Sequence, residues 1–266
     1  MLPDWMRRFW TKKPAAEALR ELRAIAETMP LLQGLSRDEM DRLLEIAARL
    51  AADKGYTTLE DMPLSRDMLA TLALQMALPV LNLGPKALAD WLEVILYPAP
   101  FVVRDRWMDG SGLAHEHERV LVGQANYTGP LVLSWPDVAE SPHLDGWNVV
   151  IHEIAHQLDM LNGSANGSPP LHKGMSQETW SREWSAAYQA FCDEVDAGRG
   201  SWLDPYAAEN PAEFFAVLSE AFFEIPHTLN DDYPQLYQQL RLFYRQDPAA
   251  RLPVLPPPEA YDPEFS

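Results

Sequence analysis

Residues 148–163 read Asn148-Val-Val-Ile-His152-Glu153-Ile-Ala-His156-Gln-Leu-Asp159-Met-Leu-Asn162-Gly163 and contain the pattern His-Glu-x-x-His. The chemistry of that pattern requires a helix. Residues four apart share one helix face, so two imidazoles reach one metal ion while Glu153, one step round, reaches a water beside it. The neighbouring sequence supplies such a helix: Val149, Val150, Ile154, Leu158 and Leu161 form an apolar side, Asp145 is placed to help cap the start, and Asn162-Gly163 to stop the end. The competing interpretation is a pair of surface histidines on an exposed helix, and the flanking apolar residues argue against it.

Composition bounds the rest. Of 266 residues 47% are apolar and 10% aromatic, enough for a sizeable core, which excludes a disordered or fibrous chain. The net charge of −18 disfavours direct binding to nucleic acid or anionic lipid. Residues 120–172 and 200–240 contain no Lys or Arg. Such stretches attract metal cations or a peptide's free amine, although a solvated acidic surface explains them equally well. Cys192 is the only cysteine and residues 1–13 lack the pattern of a signal peptide, so the expected compartment is the cytoplasm. The most apolar run, 68–84, is broken by Thr71, Gln75, Pro79 and Asn82 and is shorter than the ~20 residues of a membrane span.

No repeat or Gly/Ser linker divides the chain, so one domain is expected over 1–266, with a helical N-terminal part at 14–92 and a proline-rich tail at 253–266. Helices are expected over 15–28, after the Ser36-x-x-Glu39 capping signal, from Ser65 towards Pro79, and from Pro85 to about residue 92. Short runs rich in Val and Tyr at 94–103, 119–122 and 131–135 read as strands. Helical patterning returns at 147–161, 177–195, 212–223 and 229–244. The fold class is α+β, mainly helical with a small inserted sheet.

A catalytic zinc site takes a third protein ligand. Asp159 and Asn162 stand where a metzincin has Gly and His, so that class is excluded. Asp159 is placed to hydrogen-bond a ligand histidine, with a surface salt bridge or cap contact as the alternative. Glu178 and Glu183 are candidates for the third ligand. So is the later helix, where Glu213, Glu220 and Glu224 fall within about 20° of one line. Glu213 has a competing structural role, because Asn210 at the N-cap and Pro211 at the first helical position put it where a capping box closes. His115 and His117 flank Glu116 at a spacing that could bind metal on a strand, and are read instead as part of a polar turn. Cys192 has no nucleophile constellation around it.

His152-Glu-Ile-Ala-His-Gln-Leu-Asp159, the preceding Gly146-x-Asn148, and Pro211-Ala-Glu213-Phe-Phe-Ala-Val-Leu-Ser-Glu220 together resemble the Mlc titration factor A family of bacterial zinc peptidases. The likeness spans most of the chain, Val132-Leu-Ser-Trp135 included, and its motif core is similar to the catalytic domain of anthrax lethal factor. Ile154 stands where many relatives carry an aromatic residue. The resemblance implies a zincin-like metallopeptidase fold and a Zn2+ ion held by His152, His156 and Glu213. It also implies Glu153 as the acid–base group and Tyr206, otherwise a turn aromatic in Asp204-Pro205-Tyr206, as donor to the developing oxyanion. Glu220 and Asp159 are then supporting groups behind the ligands. The implied function is a zinc-dependent aminopeptidase acting on peptides and linked to glucose-phosphotransferase regulation through the Mlc repressor. The alternative is a regulatory protein that binds and sequesters such a repressor without catalysis.

Overall fold

The computed structural model describes residues 16–84, 87, 93–99, 101–108, 114–121, 123–124 and 129–261; the strands between 101 and 124 are described by their backbone. Three helices open the described chain: α1 (Ala16–Ala26), α2 (Arg37–Asp53) and α3 (Arg66–Ala77). Their starts follow from local chemistry. Ser36 Oγ accepts from the Glu39 amide while the Glu39 carboxylate accepts the Ser36 N–H at 2.8 Å, the reciprocal box read from the sequence. Ser65 Oγ caps α3 by accepting from Met68 N–H. The helix expected from Pro85 lies outside the described residues.

The sheet has the order β1-β2-β6-β5. β1 (Gly55–Thr58), β2 (Glu93–Tyr97) and β6 (Leu131–Ser134) run parallel, and the short β5 (Gly123–Gln124) is an antiparallel edge on β6. Register places Val94 opposite Leu131 and Leu96 opposite Leu133, all four fully buried. Parallel pairing needs a long crossover. Between β1 and β2 that crossover contains α3. Between β2 and β6 it contains an antiparallel ribbon of β3 (Phe101–Met108) and β4 (Ala114–Leu121), with Phe101 opposite Leu121 and Met108 opposite Ala114. The run expected as one strand over 94–103 is thus divided between the sheet and the ribbon, and the polar turn expected at His115–His117 is instead strand.

Six helices follow: α4 (Trp135–Glu140), α5 (Val149–Asp159), α6 (Gln177–Asp196), α7 (Pro211–Glu224), α8 (Pro226–Asp232) and α9 (Pro234–Tyr244). The continuous helix expected over 229–244 is broken, because Pro234 pushes Tyr233 out of helical geometry, to φ −126° and ψ 56°. The central element is α7, buried at every position from Phe214 to Glu224. Its apolar side chains meet aromatic partners from two helices. Phe214 and Phe215 pack on Trp184 of α6, and Phe222 stacks on Tyr244 of α9 with ring centroids 5.5 Å apart. Truncating such a ring leaves a cavity as well as losing burial. Phe222→Ala is expected to cost about 3–5 kcal/mol in denaturant unfolding, with little effect on metal retention.

Residues 253–261 are neither helix nor strand, and the Tyr261 amide donates to Ser201 O at 2.7 Å. Among the described residues no helix is long and apolar enough to cross a membrane.

Candidate metal centre

The His-Glu-x-x-His segment forms α5, but its cap differs from expectation. Asn148, not Asp145, is the N-cap: its side-chain oxygen accepts from Ile151 N–H at 3.0 Å, while Asp145 Oδ1 is taken up by Trp147 N–H. Asp145 lies three residues too early to reach the first turn's free amides. α5 packs along α7, and that contact brings the two sequence segments together.

His152 Nε2, His156 Nε2 and Glu213 Oε2 form a nearly equilateral triangle. The two imidazole nitrogens are 3.1 Å apart, and the carboxylate oxygen is 3.0 Å from His152 and 3.1 Å from His156. Glu213 reaches the imidazoles because Asn210 carries the cap alone, accepting from both Ala212 and Glu213 amides, so the glutamate side chain is free to leave the helix start. Of the two roles weighed for Glu213, the carboxylate turns to the two imidazoles, and the three side chains form a group that could hold a metal ion.

These three atoms fit a metal ion. A tetrahedral ion with bonds of about 2.0 Å separates its donors by about 3.3 Å, close to what is found, and two nitrogens with one carboxylate oxygen form a donor set typical of catalytic zinc. Two imidazole nitrogens facing each other and a carboxylate also call for positive charge between them. Burial opposes charge on His152, yet Glu220 and Glu213 outweigh it and hold that imidazole well above the ordinary histidine range. Burial likewise pushes Glu213 up, but its hydrogen bonds to His152 and His156 dominate and keep its carboxyl far below the usual carboxylate range.

Glu153 lies beside the group, 3% exposed, with Oε2 unpartnered among the described residues. Burial, partly offset by the two histidines, pushes it up to about 7, where a carboxyl both takes and gives a proton near neutral pH. Tyr206 sits in the 3-10 turn Pro205–Ala208, with its ring centroid 6.2 Å from that of His152. Asp204 orients the turn by accepting the Tyr206 amide at 2.8 Å.

A family model described as glucose-regulated metallo-peptidase M90 matches residues 3–245. The chain belongs to this family. Mlc titration factor A of Yersinia pestis (strain Pestoides F) is 44% identical to this M90 chain over 243 residues, 90% of this chain and 89% of the relative. Mlc titration factor A of Yersinia pseudotuberculosis serotype O:1b (strain IP 31758) matches to the same extent.

Behind the three donors, α7 of this M90 chain grips the start of α5. Glu220 Oε1 lies 2.7 Å from His152 Nδ1 and Oε2 accepts from the Asn148 amide, so a proton kept on Nδ1 by Glu220 would leave Nε2 to face Glu213 and His156 as a metal donor. Glu220 therefore stands behind His152, where the resemblance implies a supporting group. Losing such a partner costs about 10–100-fold in metal affinity, the expected result for Glu220→Gln in competitive zinc titration. Glu224, one turn further, is the residue that motif reading missed: it offered only its alignment with Glu213 and Glu220. Its oxygens accept from Asn148 Nδ2 at 2.9 Å and from the amides of Asp145 and Gly146.

Burial holds Glu224 well above the ordinary carboxyl range despite these donors. A carboxyl raised in the folded state contributes stability that is present below the unfolded pKa and is lost as pH rises through the folded one. Glu224→Gln removes that dependence. Its stability relative to wild type, measured by denaturant unfolding, is expected to improve steadily as pH is raised from about 5 to about 8.

Two other expectations change. Asp159 is not bonded to a ligand histidine; its carboxylate accepts three backbone amides, from Asn166, Gly167 and Ser168. Glu178 is exposed near the start of α6 and Glu183 is tied to Gln239 and Arg182, so neither joins the group. Cys192 is half-buried, with Sγ 3.8 Å from Ala208 O.

Proposed function

We propose that this M90 chain is a zinc-dependent peptide hydrolase that removes residues from peptide N-termini. The observation that carries this reading is the convergence of His152 Nε2, His156 Nε2 and Glu213 Oε2 within 3.0–3.1 Å of one another, with Glu153 buried alongside. When bound, zinc supplies a Lewis acid that polarises the scissile carbonyl and acidifies water. The chain's residues supply the rest. His152, His156 and Glu213 hold the ion, and Glu220 keeps His152 in the tautomer that presents Nε2. Glu153 takes the proton of the attacking water and returns it to the leaving amine. Tyr206 donates a hydrogen bond to the oxyanion of the tetrahedral intermediate.

The test is zinc stoichiometry by native mass spectrometry, paired with hydrolysis of one peptide bearing a free and then an acetylated N-terminus. One zinc per chain and cleavage of the free-amine peptide alone support an aminopeptidase. Equal cleavage of both peptides overturns the N-terminal specificity, and a chain that takes up no zinc overturns the hydrolase.

A regulatory reading stands beside it, favoured by the name Mlc titration factor A carried by relatives 44% identical over nine-tenths of the chain. In that reading the chain binds an Mlc-like repressor in the cytoplasm, where its acidic surface complements a basic DNA-binding protein. Co-purification with an Mlc-type repressor at moderate salt supports it, and no binding at any salt overturns it.

A further inference from the structure

Helix α5 is held against α7 at both ends, and the far end uses a residue to which the reaction assigns no part. Asp159 is three positions beyond His156 and fully buried. Its Oδ2 accepts from the amides of Asn166 and Gly167 at 2.7 and 2.6 Å, and Oδ1 accepts from Ser168 at 2.9 Å. Three successive peptide donors thus wrap one carboxylate and fix the loop that follows the helix. Gly167 is the point of that loop: its φ of +75° suits glycine, and a Cβ there would lie 2.4 Å from Pro211 O and 2.9 Å from Pro211 C. Pro211 opens α7, two residues before Glu213. On its other side Gly167 O accepts from Trp180 Nε1–H at 3.0 Å, and Trp180 is stacked on Trp184 beneath Phe215.

We infer that Asp159 is a positioning residue for Glu213, setting the distance from the histidine pair to the carboxylate through the 163–168 loop and its contact with Pro211. The inference rests on the reading of His152, His156 and Glu213 as a metal site. Its physical basis is that donors on two helices must be held to about 0.5 Å, so a link joining the end of one helix to the start of the other governs how well the three atoms match an ion. A neutral amide at 159 turns one acceptor into a donor against buried N–H groups, so the loop leaves its seat and Gly167 no longer braces Pro211.

The test compares wild type, Asp159→Asn and Gly167→Ala, using zinc and cobalt ions alone as probes. Metal-free Asp159→Asn is expected to keep wild-type circular dichroism and cooperative unfolding, to bind zinc about 10–100-fold more weakly, and to show shifted visible bands with cobalt. Gly167→Ala, which presses on Pro211 while leaving the carboxylate at 159 in place, is expected to move the same readouts in the same direction. Folded variants with wild-type zinc affinity and cobalt spectra overturn the inference. Hydrogen exchange on the wild-type chain tests it independently of how the variants fold: zinc loading is expected to slow exchange at 166–168, and unchanged exchange in a zinc-loaded chain overturns the coupling. A wild-type chain that binds neither ion fails at the metal reading instead.

Discussion

Glu153→Gln is expected to lower peptide hydrolysis by about 10²–10⁴-fold, the range associated with a positioned acid–base group, and to leave one zinc per chain. The loss is specific because Glu153 is outside the triangle formed by His152, His156 and Glu213. The fold tolerates the change. Glu153 is buried with an unpartnered oxygen and its carboxyl is pushed up to about 7, so an amide of the same shape replaces a group that burial already drives towards neutrality. Steady-state hydrolysis on zinc-loaded variant and wild type is the measurement. Activity within tenfold of wild type would remove Glu153 from the chemistry. The same variant separates the two functional readings, since a repressor-binding surface has no need of this carboxylate and Glu153→Gln should then retain the partner.

Glu213→Ala is the second large effect. It removes the only one of the three converging donors that comes from α7 and leaves two imidazoles on one helix. Zinc retention is expected to fall by well over the ~10–100-fold attached to a supporting partner such as Glu220, because a donor is lost and not merely its orientation. Native mass spectrometry after equal zinc loading reads this directly. Folding is preserved in the expected result, because Asn210 caps α7 without using the Glu213 side chain and the buried face from Phe214 to Glu224 is untouched. Unchanged zinc retention in the folded variant would pass the third position to another carboxylate, with Glu220 the nearest at hand through His152.

Much of this was legible in the primary structure because it depends on contacts within a few residues. The capping box at Ser36 and Glu39, the cap at Ser65 and the helix carrying His152 and His156 are local outcomes of hydrogen-bonding chemistry and apolar spacing. The break at Tyr233 was equally local and was overlooked: Pro234 was visible, and the residue before a proline avoids helical geometry. The strand at 114–121 was read only from residue 119 on, since the His-Glu-His-Glu sequence before it has no apolar residues to mark an extended segment.

The two imidazoles on one helix face, the glutamate between them and the candidacy of Glu213 were all decided by spacing along the chain. Everything that makes those residues a site was decided in three dimensions. Only the packing of α5 on α7 brings Glu213 to 3.0 Å from an imidazole 61 residues earlier in the chain. Only that packing gives Glu220 to His152 and Glu224 to Asn148, whereas Asp159 takes its amides from the loop seven to nine residues on. The physical reason is range. Helix caps and i,i+4 faces are set by bonds that span one turn, whereas a carboxylate's partner across two helices is set by how buried faces interlock, and by the cost of leaving any polar group between them unpaired.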